Sequence, residues 1–250
     1  MEIKDSVVMI TGGAIRVGRR IALYLAEKGA HISFSYYGPD EDWAQTQQEI
    51  EALGVEAMAT QLDVQNTAQV KQWVANTQQK FGRIDVLVNS ASVWLKAPFL
   101  EISEKQFDMA LAINLKGPFM CSQAVAPIML QQGGGVIVSI TDVSAFQTWP
   151  GYAPHAASKA GLVSLTKTLA AELAPKVRVN AVAPGTVLLP PNYTPEVEKW
   201  CLDRSILGRI GDPLDVARTV AFIIESDYAT GSVYFMDGGM SFFGVPFKEA

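Results

Sequence analysis

The stretch Val7-Val8-Met9-Ile10-Thr11-Gly12-Gly13-Ala14-Ile15-Arg16-Val17-Gly18 decides the fold. Its unbroken apolar start reads as a strand buried on both faces. The glycines turn the chain sharply, and Val17, Ile21 and Leu25 then fall at helical spacing until Gly29. This strand, turn, helix rhythm recurs. Strands are predicted near Ile32 to Tyr36 and Val55 to Thr60, with helices through Trp43 to Leu53 and from Val70 to Phe81. Ile84 to Val88 and Val136 to Val138 are too short and too uniformly apolar to alternate, so they belong in the middle of a parallel sheet. Long helices are predicted over 104–130 and 154–173, and strands over Val177 to Val182 and Ser232 to Met236. The alternation predicts a doubly wound α/β parallel sheet of about seven strands in one domain spanning 1–250.

Composition narrows the function. With 49% hydrophobic residues in 250, the chain has enough apolar side chain for a large core. Twenty Lys and Arg against 25 Asp and Glu give a net charge of −5 and no basic run, which argues against nucleic acid as partner. The first ten residues carry Glu2, Lys4 and Asp5 where a signal peptide needs a long apolar stretch, and no segment reaches a membrane-spanning length. Cys121 and Cys201 lie far apart and outside any metal-ligand spacing, so no disulfide framework and no metal site is expected. A cytoplasmic protein acting on a small molecule fits these features. The irregular, proline-bearing segment of about 184–211 is the expected substrate loop.

Glycines after a first strand let the backbone approach a ligand closely, and the following helix offers N–H groups and a positive dipole end to an anion such as a pyrophosphate. The spacing here departs from G-x-G-x-x-G, so a tight strand–helix contact is the competing explanation.

The wider pattern resembles the short-chain dehydrogenase/reductase family over nearly the whole chain. Thr11, Gly12 and Gly18 match its T-G-x-x-x-G-x-G turn, with Arg16 in place of the middle glycine. In family order follow Asp63-Val64, Val88-Asn89-Ser90-Ala91, Asn114, Lys159, Arg178-Val179-Asn180, Pro184-Gly185 and Asp237-Gly238-Gly239. The resemblance implies a Rossmann-type fold and a homotetramer. It also implies cofactor contacts at Gly12, Arg16, Val17, Asp63, Val64, Asn89, Ser90, Ala91, Lys159, Pro184 and Gly185.

An acidic residue ending the second strand would hold the ribose 2′-hydroxyl of NAD and repel a 2′-phosphate. The segment Ser33 to Gly38 has none, while Ser35 and Tyr37 offer hydroxyls and Arg16 a cation. NADP(H) is therefore expected over NAD(H). Asp40, Glu41 and Asp42 suit the start of the next helix and would oppose a phosphate.

The family places a serine thirteen residues before a tyrosine, itself four before the lysine. Counting back from Lys159 gives His155 and then Asp142. Both side chains are replaced while the spacing survives, and an i, i+4 pair presents His155 and Lys159 on one helix face. Histidine donates a proton as imidazolium without the help a tyrosine needs. The resemblance assigns proton-relay work to Asn114, so the expected catalytic group is Asn114, Asp142, His155 and Lys159. Asp142 together with Arg16 resembles the pteridine reductase branch, which implies substrate contacts at Arg16, Ser92 and Trp94, with Tyr152 beside them. The leading expectation is an NADP-dependent reductase of a carbonyl or C=N bond in a pterin-like substrate. The alternatives are a reductase of simple ketones or 3-oxoacyl thioesters, and a catalytically silent dinucleotide-binding sensor or scaffold. His31 is assigned to packing.

Overall fold

The computed structural model describes residues 1–190 and 193–242. Strands Val7–Thr11 (β1), His31–Tyr36 (β2), Ala57–Gln61 (β3), Val86–Asn89 (β4), Gly135–Ile140 (β5), Val177–Pro184 (β6) and Val233–Met236 (β7) form one sheet. All neighbours pair in parallel, in the order β3-β2-β1-β4-β5-β6-β7. Every residue of β1, β4 and β5 is buried, as their uniformly apolar sequences require. The strand order reverses between β1 and β4, which opens a crevice at their carboxyl ends.

Helices Arg16–Glu27 (α1), Trp43–Ala52 (α2), Thr67–Phe81 (α3), Glu104–Leu111 (α4), Gly117–Gln132 (α5), Ala153–Leu173 (α6), Pro195–Arg204 (α7) and Pro213–Glu225 (α8) connect or flank the strands. α1 buries Gly18, Ile21, Ala22, Leu25 and Ala26, a three-and-four spacing that gives one apolar stripe. That stripe meets Ile10 and Phe34 from the sheet, Ile50 of α2 and Val220 of α8. On the opposite face, Met9, Leu87 and Ile137 pack with Trp73 of α3 and Val125 and Met129 of α5. Trp73 is fully buried, and its indole N–H donates to Ser33 Oγ at 2.9 Å, so the largest core side chain leaves no orphan donor.

Three departures from the sequence reading bear on the site. The helix predicted over 104–130 is broken by one π turn, Ala112–Lys116, which carries Asn114. Within the 184–211 segment, read as irregular, residues Pro195–Arg204 form the helix α7. The sequence reading leaves out α8, although Asp212, Pro213 and Asp215 spell a helix start and form a capping box here. Arg178 donates to the carbonyls of Ile223, Ile224 and Ala229, and Asn180 to that of Ala229, so this motif ties α8 to β6 rather than serving chemistry. His31 accepts from Glu56 N and stacks on Phe81, a packing role as expected.

Candidate active site

The glycine turn is built for close approach. Gly12 has φ +63°, and a Cβ on Gly18 would lie 2.1 Å from Gly12 O, so α1 leaves the turn against bare backbone. Ile15 at the N-cap makes no side-chain cap, leaving the first N–H groups of α1 facing the crevice. Thr11 Oγ1 accepts from Ser90 N at 2.9 Å and Ala91 N at 3.0 Å, locking the turns after β1 and β4 together. These features fit a bound dinucleotide, whose pyrophosphate would lie on the α1 N–H groups. Arg16 opens α1 with φ 53°, the left-handed backbone that the family's glycine adopts freely and that an arginine adopts under strain. Its guanidinium reaches toward Leu189 O at 3.4 Å, on the substrate-loop side.

A cavity of about 1030 Å³ runs along the crevice. Gly12, Arg16, Val17, Ser35, Tyr37, Asp63, Val64, Ser90, Ala91, Ser92, Trp94, Asp142, Tyr152, His155, Lys159, Pro184 and Gly185 all line it. Two expected residues do not. The Asn89 side chain is buried at the end of β4, and its amide donates to Ser122 Oγ at 3.3 Å. Asn114 lies behind the wall. Its amide N–H groups donate to Val93 O and Ser158 Oγ at 3.0 Å each, and its Oδ1 accepts from Val93 N at 2.8 Å. From there Asn114 pins the loop after β4 to α6, and its Nδ2 stands 3.5 Å from His155 Nδ1.

His155 and Lys159 project from one face of α6 into the cavity. His155 Nε2 lies 3.2 Å from Asp142 Oδ2, and Nδ1 lies 3.1 Å from Val93 O. Both partners are acceptors, so each ring nitrogen has one within hydrogen-bond reach. Burial pushes the Asp142 carboxyl up, but the hydrogen bond and charge of His155, the Ser144 side chain and the charge of Lys159 outweigh it and hold Asp142 below its ordinary value. Lys159 Nζ donates to Ile140 O at 2.9 Å, and burial lowers its pKa to about 8 against the opposing pull of Asp142.

Beyond them stands an aromatic wall. Trp94 stacks on Tyr152 with ring centres 5.1 Å apart, and Trp149 sets its edge against both Tyr152 and Trp200 of α7. Lys96 lies over the Tyr152 ring and Arg204 over the Trp200 ring. Burial, with a smaller push from Cys201, raises the Tyr152 phenol, which therefore stays protonated near neutrality. Trp149, Trp200, Lys96 and Arg204 are absent from the sequence assignment, since each stands alone in its stretch with no periodicity or motif to mark it.

At the adenosine end, Ser35 Oγ is buried and accepts from Gly12 N at 3.2 Å, so it braces the glycine turn. Tyr37 is exposed at the rim. Among the described residues no cluster of side chains could hold a metal ion, and no helix is long and apolar enough to cross a membrane.

A parallel sheet with a glycine turn at its switch point, facing a buried histidine–carboxylate pair and a lysine, defines a nicotinamide-dependent oxidoreductase. The comparisons with known proteins name the family. A family model described as enoyl-(acyl carrier protein) reductase matches residues 13–241. The chain is similar to the 3-oxoacyl-[acyl-carrier-protein] reductase FabG of Thermotoga maritima, 38% identical over 245 residues, covering 96% of this chain and 99% of that one. The FabG of Staphylococcus epidermidis is 37% identical over 237 residues, covering 93% and 97%. Among solved structures, a dehydrogenase/reductase from Sinorhizobium meliloti superimposes with TM-score 0.90 at 32% identity, covering 96% and 97%. The NADPH-dependent 3-quinuclidinone reductase of Rhodotorula rubra does so with TM-score 0.89 at 26% identity, covering 96% and 93%. This chain belongs to the short-chain dehydrogenase/reductase family, and it is an oxidoreductase of that type.

Proposed function

We propose that the chain reduces a substrate carbonyl, with His155 giving the proton to the oxygen and a 3-oxoacyl thioester as the substrate class. The observation that carries the mechanism is His155 Nε2 held at 3.2 Å from Asp142 Oδ2 in the cavity wall, one helical turn from Lys159. The dinucleotide, when bound, supplies the hydride to the carbonyl carbon. His155 holds the proton it gives, and Asp142, 3.2 Å from Nε2, orients the ring. Val93 O fixes the other nitrogen, and Asn114 holds Val93. Lys159 sits one turn further along α6 to hold the cofactor ribose. The names of the FabG relatives support the thioester class. NADP(H) remains the reading supported by β2, which ends without a carboxylate. A cytoplasmic homotetramer is proposed with it.

A second reading, a flat pterin-like substrate reduced at C=N, is favoured by the Trp94–Tyr152 stack and by Arg16 at the same cavity. Oxidation of reduced nicotinamide cofactor with acetoacetyl thioesters and with dihydropterins tests both. Turnover of the thioester alone supports the first, and turnover of the pterin alone replaces it. Trp94→Ala should then weaken pterin binding by about 1–3 kcal/mol. No turnover with any carbonyl or imine substrate leaves the dinucleotide-binding sensor.

A further inference from the structure

A row of rings crosses the substrate end of the cavity. Trp94, from the loop after β4, stacks on Tyr152 at 5.1 Å, and Trp149 meets the rings of Tyr152 and of Trp200 on α7 edge-on, at 5.9 Å each. All four line the cavity, and Tyr152 stands three residues before His155 at the start of α6, so the row begins one helical turn from the proton donor. Trp94 and Trp200 also expose much of their surface, which makes the row a partition between cavity and solvent. Trp149 is fixed from the loop side: its indole N–H donates to Gln147 Oε1 at 3.2 Å, and Gln147 in turn donates to Met240 O. From the other side, α7 turns Glu196, Val197, Trp200, Cys201 and Arg204 toward the cavity but buries only Cys201. Trp200, with the Arg204 guanidinium over its ring at 4.3 Å, is the side chain that closes α7 against the loop.

A 3-oxoacyl thioester carries two arms on its reacting carbonyl carbon. The thioester arm leads to a carrier too large for a cavity of about 1030 Å³, so it must run out through the opening. The acyl tail leaves the carbon on the other side and has to be housed by the walls. We propose that the Trp149–Trp200 contact sets the length of tail the enzyme accepts, so that its substrates are short-chain 3-oxoacyl thioesters. A short tail lies inside the row, against the ring faces. A long one has to part an edge-to-face pair that is held on one side by Gln147 and on the other by Arg204. The proposal deepens the thioester reading and rests on it.

The test compares the oxidation of reduced nicotinamide cofactor by the whole chain with acetoacetyl and 3-oxododecanoyl thioesters of coenzyme A. The parent should favour the acetoacetyl substrate by about tenfold or more in kcat/KM. Trp200→Ala and Trp149→Ala open the same contact from its two sides, so each should shift that preference about tenfold toward the long substrate, through its KM rather than its kcat. Trp200→Phe keeps a ring at the contact and should stay within about threefold of the parent. The double alanine variant should shift the preference no further than the larger single change, because one contact is lost only once. A parent that takes both substrates equally, or alanine variants that keep its preference or lose both substrates in equal measure, overturns the proposal and leaves the thioester reading standing. A parent inactive with both thioesters overturns that reading, and this proposal with it.

Discussion

Replacing Lys159 with methionine should stabilise the protein while disabling it. The Lys159 side chain is buried on α6, where its Nζ donates to Ile140 O at 2.9 Å. Burial draws its pKa from 10.5 down to about 8, even with Asp142 pulling the other way. A drop of that size corresponds to about 3 kcal/mol spent on keeping the ammonium dry. The sign follows from linkage. Below about pH 8 both folded and unfolded chains carry the proton, and the fold bears the whole cost. Between about 8 and 10.5 the folded chain sheds the proton while the unfolded chain keeps it, so stability rises with pH by up to about 1.4 kcal/mol per unit. Above 10.5 the gain is complete.

Methionine has similar volume and no charge. At pH 7 Lys159→Met loses one hydrogen bond of about 1 kcal/mol and relieves the burial cost, for a net gain of about 1–3 kcal/mol. Urea unfolding of parent and variant at fixed protomer concentration, from pH 7 to 10.5, reads the difference directly. The parent should close the gap as pH rises, and cofactor affinity of the variant should fall. A difference that stays flat across this range, or a variant less stable at every pH, refutes the burial argument.

Three further outcomes are expected. His155→Ala should lower turnover by about 10²–10⁴ with cofactor affinity changed less than about threefold, whereas His155→Tyr should retain activity and move the alkaline limb of the rate profile upward, because a phenol is the weaker acid; steady-state rates against pH check both, and full activity of His155→Ala removes the residue from the mechanism. Gly18→Ala should abolish cofactor binding and destabilise the fold by more than about 2 kcal/mol, since its Cβ would sit 2.1 Å from Gly12 O with no flexible side chain to yield; calorimetric unfolding and cofactor titration measure the two losses. Light scattering should show a species about four times the 27.1 kDa chain, and a lone 27 kDa species would refute the tetramer.

The alternation of elements was legible in the chain because it rests on local periodicity. Val7 to Ile10, Val86 to Val88 and Val136 to Val138 are apolar without alternating, and only a strand covered on both sides tolerates that. The pairing of His155 with Lys159 was legible for the same reason, since one helical turn puts both on one face whatever packs around them. Glycine spacing likewise announced a backbone that must be approached closely at Gly12 and Gly18. What depended on distant segments was not legible. The sequence shows three acidic residues after β2, but only the loop's return path selects Glu41 to cover Tyr37 and Gly38 N–H. Asn89 ends a buried strand, and only the fold shows that its amide reaches Ser122 of α5. Asn114 stands out in the sequence only by resemblance, and it is the π turn that directs its amide to the loop after β4 and to Ser158. The aromatic wall joins Trp94, Trp149, Tyr152 and Trp200 from three separate segments, and only the tertiary fold decides that those rings meet. Periodicity is a property of a few successive residues, whereas these contacts follow from how sheet twist and helix packing bring remote loops to one end of the sheet.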